Sequence, residues 1–297
     1  MISEQVGKIS YAEVIRQKVA AYAQLLKFRL SFLVSLSAVF GYAIAAGDAW
    51  TTINLIWIGL GGMMVTGASN TLNQIIEKDS DKLMRRTSGR PIPEGRISIW
   101  GAFVYALFLA AGGIYILGNV FNFAAALLGM FGLISYAFMY TPMKKVSGIS
   151  VFIGAIPGGL PPLIGWVAYT GEIGMGGILL FIFQFLWQFP HFWAIAWLMD
   201  DDYQKAGLKM LPSAKGRTKF SAFLVLLYTF LLIPMALYAT RVEMIGTVGA
   251  LVLIMLGLLF LVPAFGLYRS LDGKYARKVM FASFLYLPLA QLTFLFG

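Results

Sequence analysis

The sequence predicts an all-α integral membrane protein, a bundle of nine transmembrane helices. Three observations carry the prediction. Of 297 residues, 59% are hydrophobic and only 12% charged, with a mean hydropathy of +0.79; a soluble domain carries about 25% charged residues. Nine apolar runs come close to the roughly 20 residues that a helix needs to cross a bilayer. The basic residues then gather at alternate ends of those runs, which holds only for this span count.

The N-terminal stretch, residues 1–29, reads as a cytoplasmic amphipathic segment preceding a single domain over 30–297. Glu4, Glu13, Arg16 and Lys18 interrupt any signal-peptide core, and the two acids argue against a transit peptide. Two stripes, Val14–Lys18–Ala21–Leu25 and Ile15–Val19–Tyr22–Leu26, have helical spacing and suit a helix lying on the membrane surface. The spans follow at about 30–46, 52–74, 98–117, 120–140, 150–169, 174–198, 219–239, 244–268 and 279–296. Only Gly118 and Asn119 punctuate the third and fourth. Lys8 to Arg29 precede the first span, Lys78 to Arg96 follow the second, and Lys144 and Lys145 follow the fourth. Lys205 to Lys219 follow the sixth and Arg269 to Lys278 the eighth, leaving Arg241 alone on the opposite side. The positive-inside rule then puts the N-terminus in the cytoplasm and the C-terminus outside. The same rule accounts for the net charge of +10 without any nucleic-acid partner. The chain has no Cys and one His, which excludes disulfides, a thiolate nucleophile and a multi-His metal site.

Charge clusters mark the inner ends of spans two and six. Asn73, Glu77 and Asp81 recur at i, i+4, i+8 and share one face if the helix continues. Like charges so placed repel, so a cation is required between them. Mg²⁺ suits the oxygen donors, since it binds one or two carboxylates together with phosphate oxygens. Arg86 and Arg90 follow, with the planar fork that grips phosphate bidentately. Charges solvating a helix end are the simpler account of such a cluster, but the aligned Asn and the dense Arg favour a diphosphate site. The second cluster, Asp200–Asp201–Asp202–Tyr203, sits at the corresponding end of span six, with Asp201 and Asp202 as candidate ligands of a second Mg²⁺. Tyr140 and Lys144, ending span four, are placed to reach the same diphosphate, although Lys144 also serves as a topological charge. His191 follows Pro190 among aromatic residues. It is either bonded to a backbone carbonyl freed by the proline or an axial ligand or contact for a haem-like substrate, and the residues leave both open. Glycines and prolines between Gly148 and Pro162 predict a broken helix or, more simply, close helix packing.

These residues resemble the motifs of the UbiA-type intramembrane prenyltransferases. The family's N-x-x-x-D-x-x-x-D is similar to Asn73, Glu77 and Asp81, with Glu in the middle place, and D-x-x-M-x-R-T-x-x-R-P is complete through Asp81, Met84, Arg86, Thr87, Arg90 and Pro91. YTPMKK, GAIPGGLPPLIGW and QFPHFWAIAWLMDDDYQKAG resemble the subgroup that makes haem O. The second D-x-x-x-D of the family is absent as such, and Phe28 stands where a Pro is common. The resemblance runs in order from about residue 27 to 212. It implies a bundle around a central cavity open to the cytoplasmic side of a bacterial inner membrane. It implies farnesyl diphosphate and haem B as substrates, with Mg²⁺ at Asn73, Glu77, Asp81, Asp201 and Asp202. Arg86, Arg90, Lys144, Tyr140, Tyr203 and His191 would touch substrate, and a haem-handling or terminal-oxidase assembly partner would fit such a product.

Three rivals compete. A prenyltransferase for an aromatic quinone precursor predicts the same diphosphate site without haem. A secondary transporter would place its coupling acids near the bilayer midplane, whereas these cluster at one face. A non-catalytic haem-binding protein leaves the Arg-rich motif unexplained.

Overall fold

The computed structural model describes residues 11–297, and among them every regular element is a helix. The parts of the N-terminal prediction that rest on Glu4 and Lys8 lie outside the described residues. A surface helix α1 (Tyr11–Leu26) is followed by α2 (Phe28–Ala46), α3 (Thr52–Ile76), the short α4 (Lys78–Leu83), α5 (Ile99–Ile116) and α6 (Phe123–Ile134). One turn, α7 (Thr141–Met143), leads to α8 (Ser150–Thr170), α9 (Met175–Lys205), α10 (Lys219–Arg241), α11 (Thr247–Ser270) and α12 (Gly273–Phe296). Nine helical stretches among the described residues are long and apolar enough to cross a membrane.

Local chemistry sets the boundaries. Thr51, Ser98 and Thr218 accept backbone N–H bonds at the starts of α3, α5 and α10. The division between the third and fourth spans falls at Asn122 rather than at Gly118–Asn119, which lie within a wider π-type turn. Asn122 Oδ1 caps Ala125 N at 2.9 Å, and its Nδ2 donates to Val167 O at 2.7 Å, tying the start of α6 to the end of α8. The helix of the sixth span runs on past 198 to Lys205, so Asp200, Asp201 and Asp202 stand on its last turns. The ninth begins at Gly273, where Asp272 caps it.

Helix α8 corrects the expectation of a broken backbone: it is continuous through Pro157, Pro161 and Pro162. Pro162 cannot donate to Gly158 O, and Gln184 Nε2 of α9 takes that carbonyl instead at 2.9 Å. The small residues serve close approach. A Cβ on Gly165 would overlap the Ala38 backbone, and one on Gly41 the Pro162 backbone, so α2 and α8 cross nearly backbone to backbone. Helix α8 thereby joins two apolar cores, one shared with α2, α3, α5 and α6, the other with α9 to α12. Gln291 of α12 closes the bundle by donating to Ser37 of α2 at 2.9 Å.

Candidate active site

The last two turns of α3 bury Ser69, Asn70, Thr71, Asn73 and Gln74, an expensive run of polar groups in a membrane helix. Each finds a partner. Ser69 and Thr71 bond back to Val65 O and Gly67 O, Gln74 donates to Leu25 O, and Asn73 Nδ2 donates to Thr141 Oγ1 at 3.1 Å. The helix loosens at Glu77 (φ −90°, ψ 5°), yet Glu77 N still donates to Asn73 O and Asp81 N to Glu77 O at 2.8 Å. The register that aligns Asn73, Glu77 and Asp81 therefore survives the bend.

Both carboxylates are buried and each faces one cation. Lys144 Nζ lies 2.9 Å from Glu77 Oε1, and Arg90 Nη1 lies 2.5 Å from Asp81 Oδ2. The loop after α4 turns back because Thr87 Oγ1 donates to Asp81 O, which brings Arg90 over the acid. Asp81 Oδ1 and Glu77 Oε1 remain buried with no aligned hydrogen bond, so the Lys144 contact is an ion pair rather than a well-directed bond. Burial, opposed by Arg90 and reinforced by Glu77, holds the Asp81 carboxyl above the ordinary carboxylate range. Burial pulls Lys144 down, but the Glu77 charge outweighs it and leaves the ammonium above its ordinary value.

Lys27 joins this cluster, although its sequence position suggested only a topological charge. It stands between α1 and α2 in the left-handed region (φ 49°, ψ 56°), a costly conformation for a side chain with a Cβ. A chain of bonds holds it there: Ser31 Oγ donates to Leu26 O at 2.6 Å, Asn70 Nδ2 to Ser31 Oγ at 3.2 Å, and Lys27 Nζ to Asn70 Oδ1 at 3.3 Å. Burial, then the charges of Arg90 and Lys144, bring Lys27 down to about 7, with Glu77 opposing. Lys144 and Arg90 thus pair with Glu77 and Asp81, while Lys27 faces Glu77 and Arg86 acts on Lys27, an excess of cations that an anionic ligand would neutralise. The signal for Asn70 was legible: an amide three residues before Asn73 in an apolar run.

The second cluster reaches the same end of the bundle, since Lys209 N, just beyond α9, donates to Lys144 O at 2.7 Å. Its three aspartates differ. Asp200 is buried, accepts from Gln204 at 3.0 Å and faces Arg217 at 3.8 Å. Asp201 is 77% exposed and bonded to Arg217 at 3.2 Å. Asp202, 20% exposed, has only Lys205 at 3.9 Å. Tyr203 is buried. Arg86 is exposed and makes no side-chain bond among the described residues. No group of three or more acids or histidines converges as a metal cage among the described residues. The donor set nevertheless fits Mg²⁺, because the two orphaned carboxylate oxygens are hard ligands that leave places for phosphate oxygens.

A cavity of about 290 Å³ lies between α2, α3, α6, α8, α9 and α12. Asn70, Tyr140 and His191 all line it. Tyr140 also lies under Lys144 Nζ, 4.4 Å from the ring centre, and so links the cavity to the charge cluster. His191 Nδ1 meets Ser283 Oγ at 2.7 Å, which removes the expected alternative of a carbonyl freed by Pro190. Ser283 carried no signal in the sequence.

Comparison with known proteins decides the family. Residues 34–287 match the UbiA prenyltransferase family. The chain belongs to that family. A relative from Cytophaga hutchinsonii named protoheme IX farnesyltransferase is 46% identical over 275 residues, 92% of this chain and 96% of its own. Among solved structures, one described for digeranylgeranylglyceryl phosphate synthase superposes with a TM-score of 0.78 at 20% identity, over 95% of this chain and 98% of that one. A UbiA homologue from Archaeoglobus fulgidus bound to GPP and Mg²⁺ gives 0.65 at 18% identity, over 93% and 99%. Both structures share the fold of this chain. The transporter alternative falls with the family assignment.

Proposed function

We propose that this protein transfers a farnesyl group from farnesyl diphosphate to a vinyl group of haem B, giving haem O and diphosphate. The near full-length similarity to a protoheme IX farnesyltransferase supports the substrate pair. The observation that carries the reading is that one cavity is lined both by Asn70 and Tyr140, beside the cation-rich cluster, and by His191.

The chemistry follows from these residues. The allylic C–O bond breaks only if the departing diphosphate charge is neutralised. Lys27, Arg86, Arg90 and Lys144 take up that charge from the side of the phosphate oxygens. Asn73, Glu77 and Asp81 would hold one Mg²⁺, and Asp202 with Asp201 a second once Asp201 releases Arg217. When bound, these ions supply Lewis-acid stabilisation of the leaving group. The apolar walls and the Tyr140 ring keep water from the allylic cation until the vinyl π electrons form the new C–C bond. Water then captures the cation left beside the porphyrin and loses a proton, giving the hydroxyethylfarnesyl substituent. Tyr203 braces the Lys144 side of the diphosphate, and His191 contacts haem. The protein works as a multi-pass enzyme of a bacterial inner membrane, N-terminus cytoplasmic and C-terminus outside, handing its product to a haem-handling or terminal-oxidase assembly partner.

Incubating the purified protein in detergent with haem B, farnesyl diphosphate and Mg²⁺, followed by mass spectrometry, tests the reading. Farnesylated, hydrated haem is expected. Prenylation of an aromatic acid with haem left untouched would overturn it.

A further inference from the structure

His191 is held more tightly than a substrate contact requires. Ser283 Oγ lies 2.6 Å from Met280 O and 2.7 Å from His191 Nδ1. A hydroxyl has one proton, and a carbonyl can only accept, so that proton goes to Met280 O. Ser283 Oγ is then left to accept from the ring. Nδ1 therefore carries the imidazole proton, and Nε2 is the bare nitrogen. The ring plane is fixed as well. Trp187 stacks on it at 4.9 Å and 15°, and its Nε1–H donates to Ser283 O at 3.0 Å, so the indole and the serine backbone hold one another. Phe284 meets the ring edge-on at 5.0 Å. Nε2 has no protein partner among the described residues, and His191 lines the cavity.

An imidazole locked by a bond to Nδ1–H, with Nε2 left open beside an apolar cavity, has the form of a metal ligand with its orienting partner in place. We infer that Ser283 is a positioning residue that selects the Nδ1–H tautomer of His191, so that Nε2 ligates the iron of the bound haem. The inference rests on the proposed haem substrate. It assigns α12 a part in the site, through a residue that touches neither diphosphate nor porphyrin.

Haem titrated into the full chain in detergent, without farnesyl diphosphate, tests it by spectroscopy. The wild-type complex should show a histidine-ligated absorption and EPR signature. His191→Ala should lose that signature and regain it with added imidazole, and His191→Met should replace it with that of a thioether ligand. Ser283→Ala should bind haem about 10- to 100-fold more weakly, the usual effect of deleting such an orienting partner. In its ferrous complex the iron–imidazole stretching band should shift to lower frequency, because Nδ1–H has lost its acceptor. A purely structural serine would leave that band in place. Unchanged affinity and band position in Ser283→Ala would overturn the positioning role. An unchanged spectrum in both His191 variants would overturn the ligation while leaving haem as the substrate. Absence of any haem binding by the wild-type chain would sink the proposed function itself.

Discussion

Replacing Arg90 with Gln in the ligand-free protein should destabilise it more than replacing its partner, Asp81, with Asn. The Asp81 side chain is 0% exposed and that of Arg90 16% exposed, with 2.5 Å between them. Removing one member of a buried pair strands the other charge and costs about 3–5 kcal/mol. The partial exposure of Arg90 argues for the lower end, about 3 kcal/mol. Asp81→Asn leaves a guanidinium that still reaches water, so its cost should be nearer about 1 kcal/mol, that of a lost hydrogen bond. The pH dependence follows from the direction of the Asp81 shift. Burial raises this carboxyl above its ordinary value, with Arg90 opposing. Such a group binds its proton more tightly when folded, so stability is greatest in acid and declines as pH rises through the folded value. Without Arg90 that value rises further. Arg90→Gln should therefore recover more stability on acidification than the wild type, whereas Asp81→Asn should not. Thermal unfolding in detergent with a chelator and no substrate measures both. Equal losses in the two variants at every pH would refute the buried-charge reasoning.

Three other outcomes are expected. Asp81→Asn should lower turnover by at least about 100-fold while the protein stays folded, with only the small stability loss given above, since the removed carboxylate would hold the metal that neutralises the leaving group; near-normal activity would take Asp81 out of the metal site. Lys27, brought down to about 7, is only part protonated at neutral pH, and a bound diphosphate should raise it again. Diphosphate binding near pH 7 should therefore take up protons, seen by calorimetry in buffers of differing ionisation enthalpy, and Lys27→Met should abolish most of that uptake. Gly165→Val should lower stability by at least about 1–3 kcal/mol in thermal unfolding, because its side chain must displace the Ala38 backbone; an unchanged melting profile would mean that α2 and α8 do not cross as described.

The nine spans and the alignment of Asn73, Glu77 and Asp81 were determined by the sequence alone. Hydropathy and helical spacing are properties of neighbouring residues, and a bilayer allows an apolar run few conformations other than a helix. What depended on partners distant in the chain had to wait for the tertiary structure. Pro162 reads as a helix breaker until Gln184 is found on the carbonyl it strands. Asp201 and Asp202 look equally fit to hold a metal until Arg217, from the following loop, is found on Asp200 and Asp201. Lys27 reads as one more inward-facing charge until the bonds among Leu26, Ser31 and Asn70 hold its backbone left-handed beside Glu77 and Arg90. The state of His191 is likewise decided by Ser283, on the last helix. Spacing along one helix prescribes which residues share a face. Which charge or lone pair stays free for a ligand is decided only after packing has assigned every other donor and acceptor.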